Sequence, residues 1–299
     1  MNAAAGARAP RSVAAFLLVA LIWGSTWLVI KDQISAVPPG WTVTWRFALA
    51  TLGMFALAAV RRDSLRLEPA ALRLSVAIGL FQFFGNFQLV YRSEHYLTSG
   101  LVAVIFALLL VPNALLARLF LRAPLSGRFL AGTGVALAGI ALLLTHEYRA
   151  APTAEGVLTG IALVGCALLC ASSANVLQAT ELARRQPVVP LIAWAMLWGT
   201  LADALFAWVT SGPPVLDPRP QYLWGIAYLA LIGSVVTFPL YFALIRDWGP
   251  GRAAYNGVLV PVVAMALSTA FEGYRWTALA AAGSVLALSG LLIALGGRR

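Results

Sequence analysis

Leu110-Val111-Pro112-Asn113, followed by the run Gly132 to Gly139, returns about 150 residues later as Leu259-Val260-Pro261-Val262 and the run Gly283 to Gly290. Tyr91 answers Tyr241 at nearly the same offset, and, more weakly, Ser25 answers Ser172 and Trp45 answers Trp194. Chance matches between Leu/Ala-rich segments are common. A proline inside one apolar run and glycines seven apart in the next, found twice, are harder to reach by chance. The chain therefore reads as two copies of one unit, residues 1–145 and 146–299. Repeats of this length are an architectural signal.

Around these landmarks the sequence is solvated by lipid. Hydrophobic residues make up 61% of its 299 residues and charged ones only 11%. Soluble domains carry about 25% charged residues. Apolar runs long enough to cross about 30 Å of hydrocarbon lie near 12–31, 40–60, 72–92, 97–120, 125–145, 155–178, 188–211, 222–245, 252–271 and 277–296. Breaks such as Pro38-Pro39-Gly40, Arg61-Arg62-Asp63, Ala123-Pro124, Gly212-Pro213-Pro214 and Gly249-Pro250-Gly251 separate them. Unclosed strands would strand their backbone groups in lipid, so the spans are helices. The first run follows Arg8 and Arg11 and contains Trp23-Gly24-Ser25-Thr26-Trp27 with no small-x-small cleavage site after it; it reads as a retained helix.

Five spans per copy is an odd number, so the second copy enters the membrane from the opposite side, as in many secondary transporters. The cations agree. With the N-terminus inside, each outer loop holds one of Lys31, Arg92, Arg149, Arg219 and Arg275, and the inner segments hold roughly three times as many. The expectation is an all-α integral membrane protein of ten transmembrane helices in two inverted five-helix repeats, with both termini cytoplasmic.

The net charge of +10 does not signal nucleic acid, because the arginines sit in short loops between apolar runs. Cys166 and Cys170 are one turn apart and read as packing residues; no metal site or cofactor is expected. His95 and His146 stand at span ends, and HExxH and GxSxG are absent, which argues against an enzyme.

Polar side chains at membrane depth are costly and point inward. Gln82, Asn86 and Gln88 fall in the third span, Ser172, Ser173, Asn175 and Gln178 in the sixth, Thr237 in the eighth and Asn256 in the ninth. They are either interhelical glue or the lining of a wet cavity. Two full charges, Arg46 and Asp203, occupy counterpart spans. Arg46 snorkels outward, pairs with Asp203, or holds a substrate carboxylate; Asp203 is a proton-carrier candidate. Glu94, His95 and Glu272 read as surface groups at span ends. Pro112 and Pro261 each free a helix carbonyl and serve as packing kinks or as hinges. Aromatic stripes (Phe83, Phe87 and Tyr91; Trp23 and Trp27; Trp194 and Trp198) either pack or stack a flat ligand.

Trp23-Gly24-Ser25-Thr26-Trp27, Arg46-Phe47 and the proline–glycine pattern closing each half resemble the drug/metabolite transporter superfamily, specifically its two-copy EamA branch. Pro261, Glu272, Gly283 and Gly290 fit the family ending, whereas the first half carries Arg122 near a position where the family often has glutamate. In general character the chain resembles YddG-type aromatic amino-acid exporters. That resemblance implies a ten-helix basket around a central cavity, alternating access by rocking of the third, fourth, eighth and ninth helices, and export of aromatic amino acids across the inner membrane. The expected lining is Trp23, Gln82, Asn86, Tyr91, Asn175, Gln178, Tyr241 and Asn256, with Tyr91 and Tyr241 closing gates. A drug or cation carrier, or a carrier of another metabolite, is the alternative within the same class; Asp203 keeps the cation carrier open.

Overall fold

The computed structural model describes residues 3–122, 125–150, 154–248, 256–273 and 275–296, which form helices joined by short turns and loops, with no strand among them. The breaks at Ala123-Pro124 and Gly249-Pro250-Gly251, the residues 252–255 and the C-terminal Arg298-Arg299 lie outside the described residues.

The helices are α1 (Ala3–Ile34), α2 (Pro39–Val60), α3 (Pro69–Ile78), α4 (Phe87–Ser93), α5 (Ser99–Phe106), α6 (Leu110–Leu121), α7 (Gly127–Ala150), α8 (Ala154–Ala179), α9 (Glu181–Arg185), α10 (Val188–Ser211), α11 (Pro220–Ala227), α12 (Thr237–Trp248), α13 (Asn256–Phe271) and α14 (Ala278–Gly296). Proline sets several starts: Pro39, Pro69 and Pro220 occupy the first helical turn, where a missing amide hydrogen costs nothing. Arg122 ends α6 in the left-handed region at φ 55°.

Seven helical stretches are long and apolar enough to cross a membrane, from Ser12–Ile34 to Pro220–Tyr241. The remaining apolar segments, Gly127–Leu142, Leu259–Phe271 and Ala278–Ala294, are shorter. Seven of the ten runs expected from the sequence thus contain a helix of full spanning length, and the other three contain these shorter apolar segments.

Two junctions are not α-helical. α3 passes into α4 through a π-helical segment, Gly79–Asn86, and α11 passes into α12 through another, Tyr228–Val236. They fall at the same place in each half. A π-turn shifts the register of the helix face and is frequently found at functional sites. α5 and α6 are joined by a 3-10 turn, Ala107–Leu109, just ahead of Pro112. Pro261, by contrast, sits inside the unbroken helix α13.

Counterpart helices pack on one another: α2 against α10, α5 against α13 and α7 against α14. The α7/α14 contact is backbone on backbone. A Cβ added at Gly132 would stand 2.6 Å from the Gly290 carbonyl oxygen, and one at Gly139 would stand 2.6 Å from that of Gly283. Rising numbers on one helix meet falling numbers on the other, so the two run antiparallel. Only glycine permits this approach; the seven-residue spacing places both glycines of each helix on the facing side. α2 and α10 are antiparallel as well: Gly40 lies against Ala207, Thr51 Oγ1 is 3.2 Å from Thr200 Oγ1, and Phe55 meets Trp194 edge-on.

Candidate functional site

Arg46 is the centre of the most concentrated polar arrangement. Its position in the middle of α2 carries it inward, and it is only 2% exposed. The guanidinium donates to Tyr91 Oη at 3.0 Å and to Ser234 Oγ at 3.3 Å. Ser234 in turn donates to the Leu229 carbonyl at 2.9 Å, a bond across the wide turn of the second π-segment. Phe87, Phe47 and Tyr91 surround the charge, with ring centroids 4.6, 5.2 and 6.0 Å from Cζ. Arg46 Nε is buried without a partner. Among the described residues the salt bridges are Arg61–Asp63, Arg185–Glu181 and Arg219–Asp217, all with exposed arginines. Arg46 therefore neither snorkels nor pairs with Asp203. It is a buried cation held by hydroxyls and aromatic faces, and its fork remains suited to an incoming carboxylate.

Asp203 is buried completely on α10 and takes a different partner. Gln88 donates its amide to Oδ1 at 2.6 Å, and the Gln88 carbonyl oxygens accept from Arg92. Arg92 lies over the Phe206 ring at 4.8 Å. Asp203 Oδ2 has no partner. The two intramembrane charges thus belong to separate networks that both draw on α4: Tyr91 bonds Arg46 while Gln88 bonds Asp203.

Trp23 and Tyr241 meet where the second π-segment passes into α12. Trp23 donates to Thr237 Oγ1 at 2.9 Å and to the Gly233 carbonyl at 3.3 Å, and its ring lies 5.0 Å from Tyr241 and 5.7 Å from Phe238. Ser25 Oγ and Tyr228 Oη are 2.6 Å apart at the start of the same segment. Thr26 packs 3.1 Å from where a Cβ of Gly233 would be, and Arg46 Nη2 is 3.7 Å from that point. Four of the expected residues, Trp23, Arg46, Tyr91 and Tyr241, thus gather around Tyr228–Val236.

The other expected residues lie elsewhere. Gln82 and Asn86 are buried on the first π-segment, with Asn86 Oδ1 unpartnered. Asn175 donates to Asn113 Oδ1 at 3.2 Å, a contact between α8 and α6 in which Asn113 was not anticipated. Gln178 is half-buried near the end of α8. Asn256 is 1% exposed and donates to the Phe16 carbonyl at 3.0 Å, tying α13 to α1.

Glu94 is not a surface group. It is fully buried, because the turn after α4 folds it against α5, and Glu272 is half-buried beside it. Ser99 Oγ lies 2.7 Å from Glu94 Oε2, 2.8 Å from Glu272 Oε1 and 3.2 Å from the Trp27 carbonyl. Lys31 donates to the Glu94 and Leu97 carbonyls. His95 is exposed as expected. It borders a cleft of about 500 Å³ lined also by Pro39, Arg92, Tyr96 and Phe206. Tyr228, Ser234 and Ser99 escaped the sequence reading, and nothing in the local sequence distinguishes them from surrounding helix residues; Arg92, read as an outer-loop cation, instead lies within α4 and bonds Gln88.

The description "EamA-like transporter family" fits both halves, over residues 11–145 and 158–296. The chain is 27% identical to "Protein PagO" of Salmonella typhimurium over 262 residues, 87% of this chain and 84% of that protein. It is 24% identical to a "Probable amino-acid metabolite efflux pump" of Salmonella typhimurium over 95% of this chain and 94% of that one. It is 27% identical to the "Uncharacterized inner membrane transporter YedA" of Escherichia coli over 92% and 88%. A solved crystal structure superposes with a TM-score of 0.72 at 18% identity, covering 97% of this chain and 98% of the other. With a family description that spans nearly its whole length, the chain belongs to the EamA-like transporter family, and it is a multi-pass membrane transporter.

Proposed function

We propose that the protein is a secondary transporter of the inner membrane that exports small amphipathic metabolites, aromatic amino acids foremost, by alternating access. On this reading ten helices form two inverted five-helix repeats with both termini cytoplasmic. The antiparallel packing of α7 on α14 and of α2 on α10 supports that arrangement, as does the recurrence of the π-segments.

The observation that carries the substrate assignment is Arg46: a buried guanidinium with no carboxylate partner, ringed by Phe47, Phe87 and Tyr91. A cation stripped of water and left without a counter-ion is costly, and a substrate carboxylate completes it. The nearby aromatic faces offer edge and face contacts to a flat side chain. The relative named as an amino-acid metabolite efflux pump supports the same class. The test is purified protein in liposomes with labelled Phe, Trp and Ala, with and without a proton gradient. Movement of Phe and Trp but not Ala is expected; equal movement of all three overturns the aromatic assignment.

Asp203 favours a second reading, a drug or cation carrier, because its Oδ2 is buried and unpartnered. In that case organic cations move in the same liposomes and the amino acids do not.

A further inference from the structure

We propose that Glu94 and Glu272 share one proton through Ser99, and that this proton latches the Lys31 end of the bundle shut. Hydrogen-bond bookkeeping requires the proton. Ser99 has a single hydroxyl hydrogen, yet its oxygen is within hydrogen-bond distance of both carboxyl groups, 2.7 Å from Glu94 Oε2 and 2.8 Å from Glu272 Oε1. If Ser99 donates to one carboxylate, the other must donate its own O–H to Ser99. With both acids ionised, one oxygen would face a lone pair at hydrogen-bond distance.

The site is built for that proton and not for a second cation. Glu94 is 0% exposed, and Glu94 Oε1 and Glu272 Oε2 are buried without partners. Ser268, also 0% exposed and unpartnered, sits 3.1 Å from the Cβ position of Gly100, directly beside Ser99. The neighbouring charge, Lys31 from α1, is engaged by the Glu94 and Leu97 carbonyls and not by a carboxylate. Tyr91, Arg92 and His95 belong to the same helix end and turn; Tyr91 is held by Arg46, and Arg92 by Gln88 next to Asp203. Burial pushes the Glu94 carboxyl up to about 8, with Glu272 adding to the rise and Ser99 and Lys31 opposing it. His95 moves the other way, lowered by burial and by Lys31 and Arg92.

The latch joins three elements, Glu94 after α4, Ser99 at the head of α5 and Glu272 after α13, beside the Trp27 carbonyl of α1 3.2 Å from the Ser99 hydroxyl oxygen. Opening releases the proton to water and leaves two carboxylates that repel. The closed form binds the proton more tightly than the open form, so closure is fully favoured below the ordinary carboxylate value of 4.5 and is lost as pH rises toward about 8. The device is one-sided. The repeat aligns Glu94 with Leu244, which is buried and apolar, and Glu272 with Arg122.

The inference rests on the alternating-access reading. Its test is spin-label distance measurement in proteoliposomes between Tyr96→Cys and Arg275→Cys, in a chain with Cys166 and Cys170 replaced. From about pH 5 to about pH 9 the long-distance population is expected to grow, by up to about tenfold per pH unit inside the window. Glu94→Gln keeps a donor for Ser99 and stays short at every pH; Glu272→Gln does the same, and His95→Gln follows the parent. A parent distance insensitive to pH, or a Glu94→Gln variant that tracks the parent, overturns the latch. If the distance then responds to added substrate, alternating access survives the loss; if it responds to neither, both fail.

Discussion

Trp45 and Trp194 make the same hydrogen bond half a chain apart. Trp45 Nε1 donates to the Val215 carbonyl at 2.8 Å, in the segment after α10, and Trp194 Nε1 donates to the Leu65 carbonyl at 2.9 Å, in the segment after α2. Each indole stands on one counterpart helix and holds the exit of the other, and each stacks on a second tryptophan, Trp41 or Trp198.

Equivalent bonds should carry equivalent energy. Trp45→Phe and Trp194→Phe are each expected to cost about 1 kcal/mol of stability, and the double variant about the sum, because the two sites lie apart. Chemical unfolding in detergent measures all three. A loss confined to one variant contradicts the equivalence.

Gly139→Leu and Gly290→Leu drive a side chain into a facing backbone. Each is expected to cost about 1–3 kcal/mol or more, whereas Gly134→Leu, where no atom lies within 4 Å of the added Cβ, is nearly neutral. Thermal stability in detergent separates them.

Arg46→Met tests binding against folding. The side chain is buried with no carboxylate partner, and an apolar replacement of similar volume relieves desolvation. Stability is expected to change by no more than about 1 kcal/mol while Phe export in liposomes falls at least about tenfold. Arg46→Lys keeps the charge but loses the fork and the stacking, and should also export poorly.

Asp203→Asn retains an oxygen for the Gln88 amide. Phe export is expected to stay within about threefold of the parent, the scale of one modest hydrogen bond, with unchanged pH dependence. A loss of pH dependence assigns Asp203 the proton-carrying role instead.

Much of the fold was legible because lipid leaves few choices. Apolar run length gave the helices, and the glycines at 132, 139, 283 and 290 that marked the repeat are the ones that meet in a close backbone contact. Trp45 and Trp194, a weak match in sequence, became one of the clearest equivalences once their carbonyl partners were visible. The site was less legible. Polarity at depth turned Gln82, Asn86 and Asn256 inward, and they are buried, but it could not tell lining from glue or choose among the three roles open to Arg46. Asn256 ties α13 to α1, and Asn175 ties α8 to Asn113. Glu94 was misread because its position at a span end says nothing of the turn that folds it inward. The π-segments had no sequence signature at all, yet they set which residues meet Arg46 and Trp23.

The opposed orientation of the two halves underlies everything said of transport, and the loops after α2 and α10 report it directly. In a chain lacking Cys166 and Cys170, Ser64→Cys and Val215→Cys stand in these counterpart, exposed segments. Membrane-impermeant thiol labelling of intact cells and inverted vesicles is expected to reach Ser64→Cys only from the cytoplasm and Val215→Cys only from outside. Labelling of both from the same face would contradict the inverted arrangement and the carrier mechanism built on it.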